Sequence, residues 1–163
     1  MNEFEKIKLK IKTIDILENE LQKYTGSKII FTNGCFDILH LGHIEYLSKS
    51  KDLGDLLIVG LNSDKSVKKL KGETRPINNQ DMRSIILASL SFVDIVIIFD
   101  ENTPEKLIHI IKPDVLVKGG DYNIESIAGS KFVKSYGGDI KIINFVHGYS
   151  TSSIINKMNH STN

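Results

Sequence analysis

The 163-residue sequence predicts an α/β protein, a three-layer sandwich built on a five-stranded parallel sheet. Three observations carry that expectation. Short apolar runs of strand length alternate with amphipathic stretches of helical period. The runs Asp55–Leu61 and Val93–Phe99 are apolar almost throughout, as strands buried on both faces are. Asn, Gly and Pro punctuate the junctions between runs. One domain with a sizeable core is the simplest division of a chain this long.

The elements follow in order. Phe4, Ile7, Ile11, Ile14, Leu17 and Leu21 recur at spacings of three and four, which predicts one helix over residues 2–24 ended by Gly26. Lys28–Thr32 is the first strand. Leu41–Lys51 is a helix with Leu41, Ile44 and Leu47 on its buried face. After the strand Asp55–Leu61, Asn62-Ser63-Asp64 caps a short helix running to about Leu70. Asn79–Leu90 is helical with Met82, Ile85, Ile86 and Leu90 inward, which leaves Arg83 on the exposed side. Val93–Phe99 is a strand, and Thr103-Pro104 opens a helix to Ile111 with proline at its first position. Asp114–Lys118 is a short strand, Ser126–Ser135 a weak helix and Ile140–Phe145 the last strand. Ser150–Met158 closes the fold, and residues 159–163 are expected to fray.

Composition excludes several function classes. Hydrophobic residues make up 40% and charged residues 25%, as in ordinary globular proteins. A net charge of +1 argues against a nucleic-acid or membrane-surface binder. No run of eighteen apolar residues offers a membrane span, and Met1–Lys6 lacks an apolar signal core, so cytoplasm is the expected compartment. The lone Cys35 makes neither an internal disulfide nor a zinc cluster.

Parallel strands put their carboxyl ends along one edge, where ligands bind. Three motifs follow strands and so share that edge. In Cys35-Phe36-Asp37-Ile38-Leu39-His40-Leu41-Gly42-His43, two imidazoles straddle a strand-to-helix turn, beside free N–H groups and a positive helix end. Imidazoles there suit hydrogen bonding to a phosphate whose charge grows during transfer. Gly42 would let a nucleotide approach the backbone closely. A pair of structural histidines and a two-imidazole metal site are the alternatives, though His109, His147 and His160 stand at no ligand-like spacing. In the second motif, Lys118-Gly119-Gly120-Asp121, two glycines allow contact with a base or sugar, or simply make a tight turn. The third is Asn62-Ser63-Asp64.

Near the end of the chain, His147-Gly148-Tyr149-Ser150-Thr151-Ser152-Ser153 offers hydroxyls at a helix start, an anion cradle or plain N-capping. Lys65, Lys68, Lys69, Lys71 and Arg75 form a basic segment, with Glu73 its only acid. Lys65 and Lys68 read as a solvated face, whereas Lys71 sits beside Gly72 and Pro76 in irregular chain. Arg83 reaches phosphate or is simply exposed. Cys35 reads as a small buried residue with no base at a recognisable spacing. Neither a P-loop nor a Gly-x-Gly-x-x-Gly fingerprint is present.

The pairing of Phe36–His43 with Gly148-Tyr149-Ser150-Thr151-Ser152 resembles the cytidylyltransferase-type nucleotidyltransferases, marked by His-x-Gly-His and a late Ser-Thr-Ser/Thr motif. Within the group the chain is most similar to the adenylyltransferase domain of bacterial heptose biosynthesis. That similarity lies in Thr32–His40, Asn62-Ser63-Asp64, Leu70-Lys71-Gly72 with Arg75-Pro76, Val117–Tyr122 and Ile127-Ala128-Gly129-Ser130, and it spans about residues 27–158. It implies a Rossmann-like fold over 26–158, preceded by an N-terminal helix over 1–25. It also implies AMP transfer from ATP, with Mg²⁺ on the ATP phosphates, to D-glycero-β-D-manno-heptose 1-phosphate. ADP-heptose for lipopolysaccharide core synthesis and pyrophosphate would be the products.

The resemblance also assigns roles. His40, His43 and Lys71 would be catalytic. Cys35, Phe36, Gly42, Arg83, Lys118, Gly119, Ser150, Thr151 and Ser152 would bind ATP. Asp37, Asp64, Arg75, Gly120 and Asp121 would bind the acceptor. A homodimer is common in the group, and a separate heptose kinase would supply the acceptor. Related cytidylyltransferases carry arginine where this chain has Phe145, and the heptose-type sequences tend to lack it. A glycerol 3-phosphate cytidylyltransferase and a non-catalytic nucleotide sensor are the competing readings. The retained histidine pair disfavours the sensor.

Overall fold

The computed structural model describes residues 1–120, 122–144 and 149–160, with the backbone alone for Asn159 and His160. Six strands, all parallel, form one sheet in the order β1-β4-β3-β2-β5-β6. They are β1 (Ile11–Lys12), β2 (Ile29–Gly34), β3 (Leu56–Asn62), β4 (Ile95–Phe99), β5 (Val115–Gly119) and β6 (Asp139–Ile143). The helices are α1 (Glu3–Leu9), α2 (Ile14–Gln22), α3 (Leu41–Lys51), α4 (Asp64–Lys71), α5 (Gln80–Ser89), α6 (Glu105–Ile111), α7 (Ser130–Ser135) and α8 (Thr151–His160). The chain runs outward from β2 through β3 to β4, then crosses back to β5. The order therefore reverses between β2 and β5, and a crevice opens there at the carboxyl edge.

The three-layer parallel architecture agrees with the sequence reading, but the sheet has six strands rather than five, and the helix expected over 2–24 is broken. An Asn2–Glu5 capping box starts α1, with Glu5 N–H donating to Asn2 Oδ1 at 2.9 Å. The chain then straightens at Ile11–Lys12 to pair with β4, and Val96 N–H donates to Lys10 O at 2.9 Å. The reason lies in where the apolar stripe is buried. Ile7 and Ile11 pack with Leu47, Leu87 and Val96 on one face of the sheet. Ile14, Leu17 and Leu21 pack with Ile97, Leu107 and Ile108 on the other. No straight helix reaches both faces, so the chain crosses the sheet edge as a strand.

Two buried faces also differ from expectation. On α5 the inward residues are Arg83, Ser84, Leu87 and Ala88, while Met82 is 51% exposed and Ile86 38%. Small Ser84 and Ala88 let the helix lie close to the sheet and turn Arg83 toward the strand ends. On α3, Tyr46 and Leu47 are buried and Leu41 is exposed. Three smaller differences follow. Pro104 is the N-cap of α6 rather than its first residue. The weak helix over 126–135 resolves into a 3₁₀ turn, Ile124–Ser126, and α7. The last helix continues through His160, past the expected fraying point, while residues 161–163 lie outside the described residues.

Carboxylates pin the amino edge of the sheet. Asp55, Asp94 and Asp114 each precede a strand and accept the N–H of Lys28, Leu57 and Ile29 at 2.8, 2.7 and 2.7 Å. These bonds set strand register at the edge remote from the crevice. Leu17, fully buried in the core beneath α6, makes the N-terminal segment part of the same packing unit. Leu17→Ala is expected to cost about 2–5 kcal/mol in chemical denaturation, the penalty of a core cavity. A loss near zero would show that α2 is only appended to the fold.

Candidate active site

A cavity of about 540 Å³ opens at the carboxyl edge, with walls from the ends of β2, β3 and β5. The chain leaves β2 through Asn33 and Gly34 into Cys35, Phe36 and Asp37, all lining it. Phe36 adopts a left-handed backbone (φ 43°), a costly geometry for a side chain of its size. Its buried ring meets the His43 ring edge-on at 5.2 Å. Burial pushes the Cys35 thiol above its ordinary value, more than Lys71 and Arg83 lower it.

His40 occupies the N-cap position of α3, but its side chain makes no cap bond. Its ring stacks instead on His43, with centroids 3.8 Å apart and planes 23° apart. Both Nδ1 atoms are buried, with no hydrogen-bond partner among the described residues. Burial lowers the pKa of each ring; for His43, with the His40 ring adding to the effect, it falls to about 4. Both imidazoles are therefore neutral at pH 7, and the buried Nδ1 atoms call for a ligand. A methyl group on Gly42 would meet the His40 ring at 3.1 Å and Tyr149 Cβ at 3.5 Å. The space at Gly42, expected to admit a nucleotide, thus accommodates His40, and it lets the starts of α3 and α8 converge. Ser150 caps α8, its Oγ accepting from Ser153 N–H at 3.0 Å. Thr151 lines the cavity, and Ser152 is exposed.

Three cationic side chains complete the lining. Lys71 ends α4, just before Gly72 at φ 96°. Lys118 donates to Asn33 Oδ1 at 2.9 Å, and burial lowers its pKa. Arg75 Nε donates to Asp37 Oδ2 at 2.6 Å. Asp37 also accepts N–H bonds from Ile77 and Asn78 at 2.8 and 2.9 Å. Burial pushes its carboxyl up, but these bonds outweigh that and hold it below the usual range. Asp37, expected to touch the acceptor, is in this structure the anchor of the loop after α4. Gly119 lines the cavity, and Gly120 (φ 113°) donates to Ile143 O at 3.0 Å. Asp121, Phe145, His147 and Gly148 lie outside the described residues.

Arg83 departs from the exposed position read in the sequence. It is 1% exposed, and its guanidinium donates to Asn78 O, Cys35 O, Asn62 O and Asp64 Oδ1 at 3.0, 2.6, 2.8 and 2.8 Å. Neither Arg83 nor Asp64 lines the cavity. Both stand behind it, as ties between strand ends. Sequence reasoning brought Asn62 to this edge without giving it a role, and it missed Asn33, Asn102 and Thr103 as polar lining, along with Ser126, Ile127 and Ala128. The available signal was position, since the three asparagines end or closely follow β2, β3 and β4. Among the described residues no group of three or more His, Cys, Asp and Glu side chains is arranged to hold a metal ion. No helix of the described residues is long and apolar enough to cross a membrane.

Residues 31–157, from the middle of β2 into α8, match the cytidylyltransferase-like family. The chain belongs to that family. Among its relatives, the bifunctional protein HldE of Campylobacter concisus is 54% identical over 154 residues, covering 94% of this chain and 32% of that protein. HldE of Campylobacter fetus is 57% identical over 134 residues, covering 82% and 28%. The chain thus spans about a third of the length of these bifunctional relatives. A solved lipopolysaccharide core biosynthesis protein from Thermoplasma volcanium superposes with a TM-score of 0.59 at 32% identity, covering 74% of this chain and 98% of that one. Pantoate-beta-alanine ligase from Francisella tularensis shares the fold at 18% identity and a TM-score of 0.60, over 92% of this chain and 77% of its own. As a member of the cytidylyltransferase-like family with such relatives, this chain is a nucleotidyltransferase.

Two measurements check the site. Arg83→Met strands three carbonyls and Asp64 and should destabilise the fold by about 3 kcal/mol or more. Arg83→Lys should recover only part of this, because one ammonium cannot reach four acceptors in fork geometry. His43 should titrate by NMR with a midpoint of about 4, against ~6.5 for a free imidazole. The unfolded ring then takes up its proton at a higher pH than the folded ring does. Stability therefore falls as pH drops from the unfolded midpoint toward the folded one, and His43→Asn should flatten that slope. An ordinary midpoint for His43 would refute the buried, neutral pair.

Proposed function

We propose that the chain transfers AMP from ATP to D-glycero-β-D-manno-heptose 1-phosphate, releasing pyrophosphate and forming ADP-heptose for lipopolysaccharide core synthesis. One observation carries the reading: two stacked, neutral imidazoles, their buried Nδ1 atoms without a partner among the described residues, stand where two helix starts converge beside a strand-end cavity. That corner suits the phosphates of a nucleotide. The names of the bifunctional HldE relatives and of the lipopolysaccharide core biosynthesis protein support the choice of acceptor.

The acceptor's phosphate oxygen is anionic at neutral pH, so the reaction needs no strong base. That oxygen attacks the α-phosphorus of ATP in line, the bond to the β-phosphate oxygen breaks, and pyrophosphate carries away the electron pair. An imidazole with a pKa of about 4 is a poor base, and His43 acts through its ring N–H as a hydrogen-bond donor to the transferring phosphate. His40 holds the ring of His43 by stacking and donates beside it. Thr151, at the start of α8, adds backbone and hydroxyl donors to the leaving phosphates. Lys118 and Lys71 bring positive charge, Lys71 from the side of α4 where the acceptor enters. Mg²⁺ comes with the nucleotide as part of the substrate, coordinated by phosphates and water. Arg83 acts from behind, fixing Cys35 and Asn62.

Pyrophosphate release measured with ATP and CTP, each against heptose 1-phosphate and glycerol 3-phosphate, tests the reading. ATP with heptose 1-phosphate should be the productive pair. His43→Ala should lower kcat by roughly 10²-fold or more with little change in ATP affinity. Lys71→Ala should both lower kcat and raise the KM of the acceptor. Unchanged turnover in the His43 variant would remove the imidazole pair from catalysis.

A further inference from the structure

We propose that the carboxamides of Asn33 and Asn62 form a pair that reads the hydroxyl groups of the acceptor sugar. The inference rests on the adenylyl-transfer reading for its orientation in the cavity. The chemistry of the pair stands on its own bonds.

Each amide has one end fixed by a partner that admits a single orientation. The Lys118 ammonium can only donate, so the atom it meets on Asn33 at 2.9 Å is Oδ1. On Asn62 the restriction comes through Ser66. The Ser66 hydroxyl donates its proton to Glu101 O at 3.2 Å, so toward Asn62 it can only accept, from Nδ2 at 3.0 Å. What remains on Asn33 is its NH₂ group, a donor. What remains on Asn62 is Oδ1, an acceptor. Neither has a partner among the described residues, and both side chains line the cavity. Asn62 as a whole is only 3% exposed, so its side chain is held in place by the packing around it.

The two residues share a face of the sheet. Asn33 pairs in register with Gly60, and Asn62 lies two residues further along β3, on the same side of the pleat. A fixed donor and a fixed acceptor on neighbouring strands match a hydroxyl group, which both accepts and donates. The free ends of both amides are uncharged, and the Lys118 ammonium beside Asn33 together with Lys71 and Arg75 leaves positive charge nearby for phosphate. An in-line displacement requires the acceptor to enter opposite the leaving pyrophosphate. On the adenylyl-transfer reading, pyrophosphate lies at the starts of α3 and α8 and the acceptor lies against the end of β3, where Asn62 lines the cavity. A polyhydroxylated sugar phosphate is therefore the substrate class, and the amide pair is what distinguishes it from other phosphate-bearing molecules.

Calorimetric binding to the whole chain separates this inference from the reading it rests on, because binding needs no turnover. The probes are heptose 1-phosphate, inorganic phosphate and ATP, against wild type, Asn62→Ala and Asn33→Ala. The half-exposed Asn33 supplies a variant that tests the pair should the Asn62 variant fail to fold. Either substitution should raise the Kd of heptose 1-phosphate about tenfold while leaving those of inorganic phosphate and ATP within about twofold. Loss confined to ATP would assign the amides to the nucleobase and overturn the proposal. Equal loss for heptose 1-phosphate and inorganic phosphate, or no loss at all, would also overturn it. A wild type that binds heptose 1-phosphate through these amides yet releases no pyrophosphate would overturn the adenylyl-transfer reading alone.

Discussion

The site depends on one buried guanidinium. Arg83 joins four stretches of chain: the turn after β2, the end of β3, the start of α4 and the loop before α5. A cation without solvent is tolerated when its donors find acceptors, and four of the five N–H groups of Arg83 do so here. Through Cys35 O it secures the segment in which Phe36 takes its left-handed backbone, and from that segment the chain enters the turn bearing both histidines. Asp37 makes the second tie, drawing Arg75 and the N–H groups of Ile77 and Asn78 toward the same turn. Catalytic side chains on loops need such backing, since an error of about 1 Å in placement is enough to lose much of an effective molarity.

The layered α/β architecture was legible because burial on both faces leaves a direct trace in composition. Leu56–Leu61 and Ile95–Phe99 are apolar throughout, as strands covered on both faces are. The N-terminal segment shows where periodicity fails. Spacings of three and four in Phe4–Leu21 are those of a helix, yet the stripe divides between opposite sides of the sheet. A pattern records which residues are buried, not against what. The same limit misled the reading of α5, where Met82 and Ile86 suggest an apolar face that small Ser84 and Ala88 displace by packing more closely.

At the site, the histidine pair and the strand-end edge were legible from local chemistry, since a strand, a turn and a helix start can be read within a dozen residues. Partners were not. Arg83 and Asp64 are nineteen residues apart, and only the fold makes them a buried pair. The family resemblance assigned Asp37 to the acceptor, while the structure gives it Arg75 and two N–H donors from 38 to 41 residues away. The asparagines at the strand ends carry no distinctive pattern in sequence, because which end of an amide is free is set only by neighbours such as Lys118 and Ser66.

Charge is distributed between the two edges of the sheet, and the distribution bears on why the imidazoles are neutral. Asp55, Asp94 and Asp114 are spent on N–H groups at the amino edge, and Asp37 at the carboxyl edge is neutralised within the fold. The cavity is left with cations and uncharged hydrogen-bonding groups. Two protonated rings 3.8 Å apart beside Lys71 would repel one another and the lysine, and burial would add its own penalty. Kept neutral, the pair would supply directed N–H donors in the proposed transfer without that repulsion, and the positive charge facing a polyphosphate would come from Lys71 and Lys118. Division of labour of this kind favours the transition state. Cations that meet the phosphates in ground state and transition state alike would add affinity, whereas rings fixed by stacking would strengthen their bonds where charge develops.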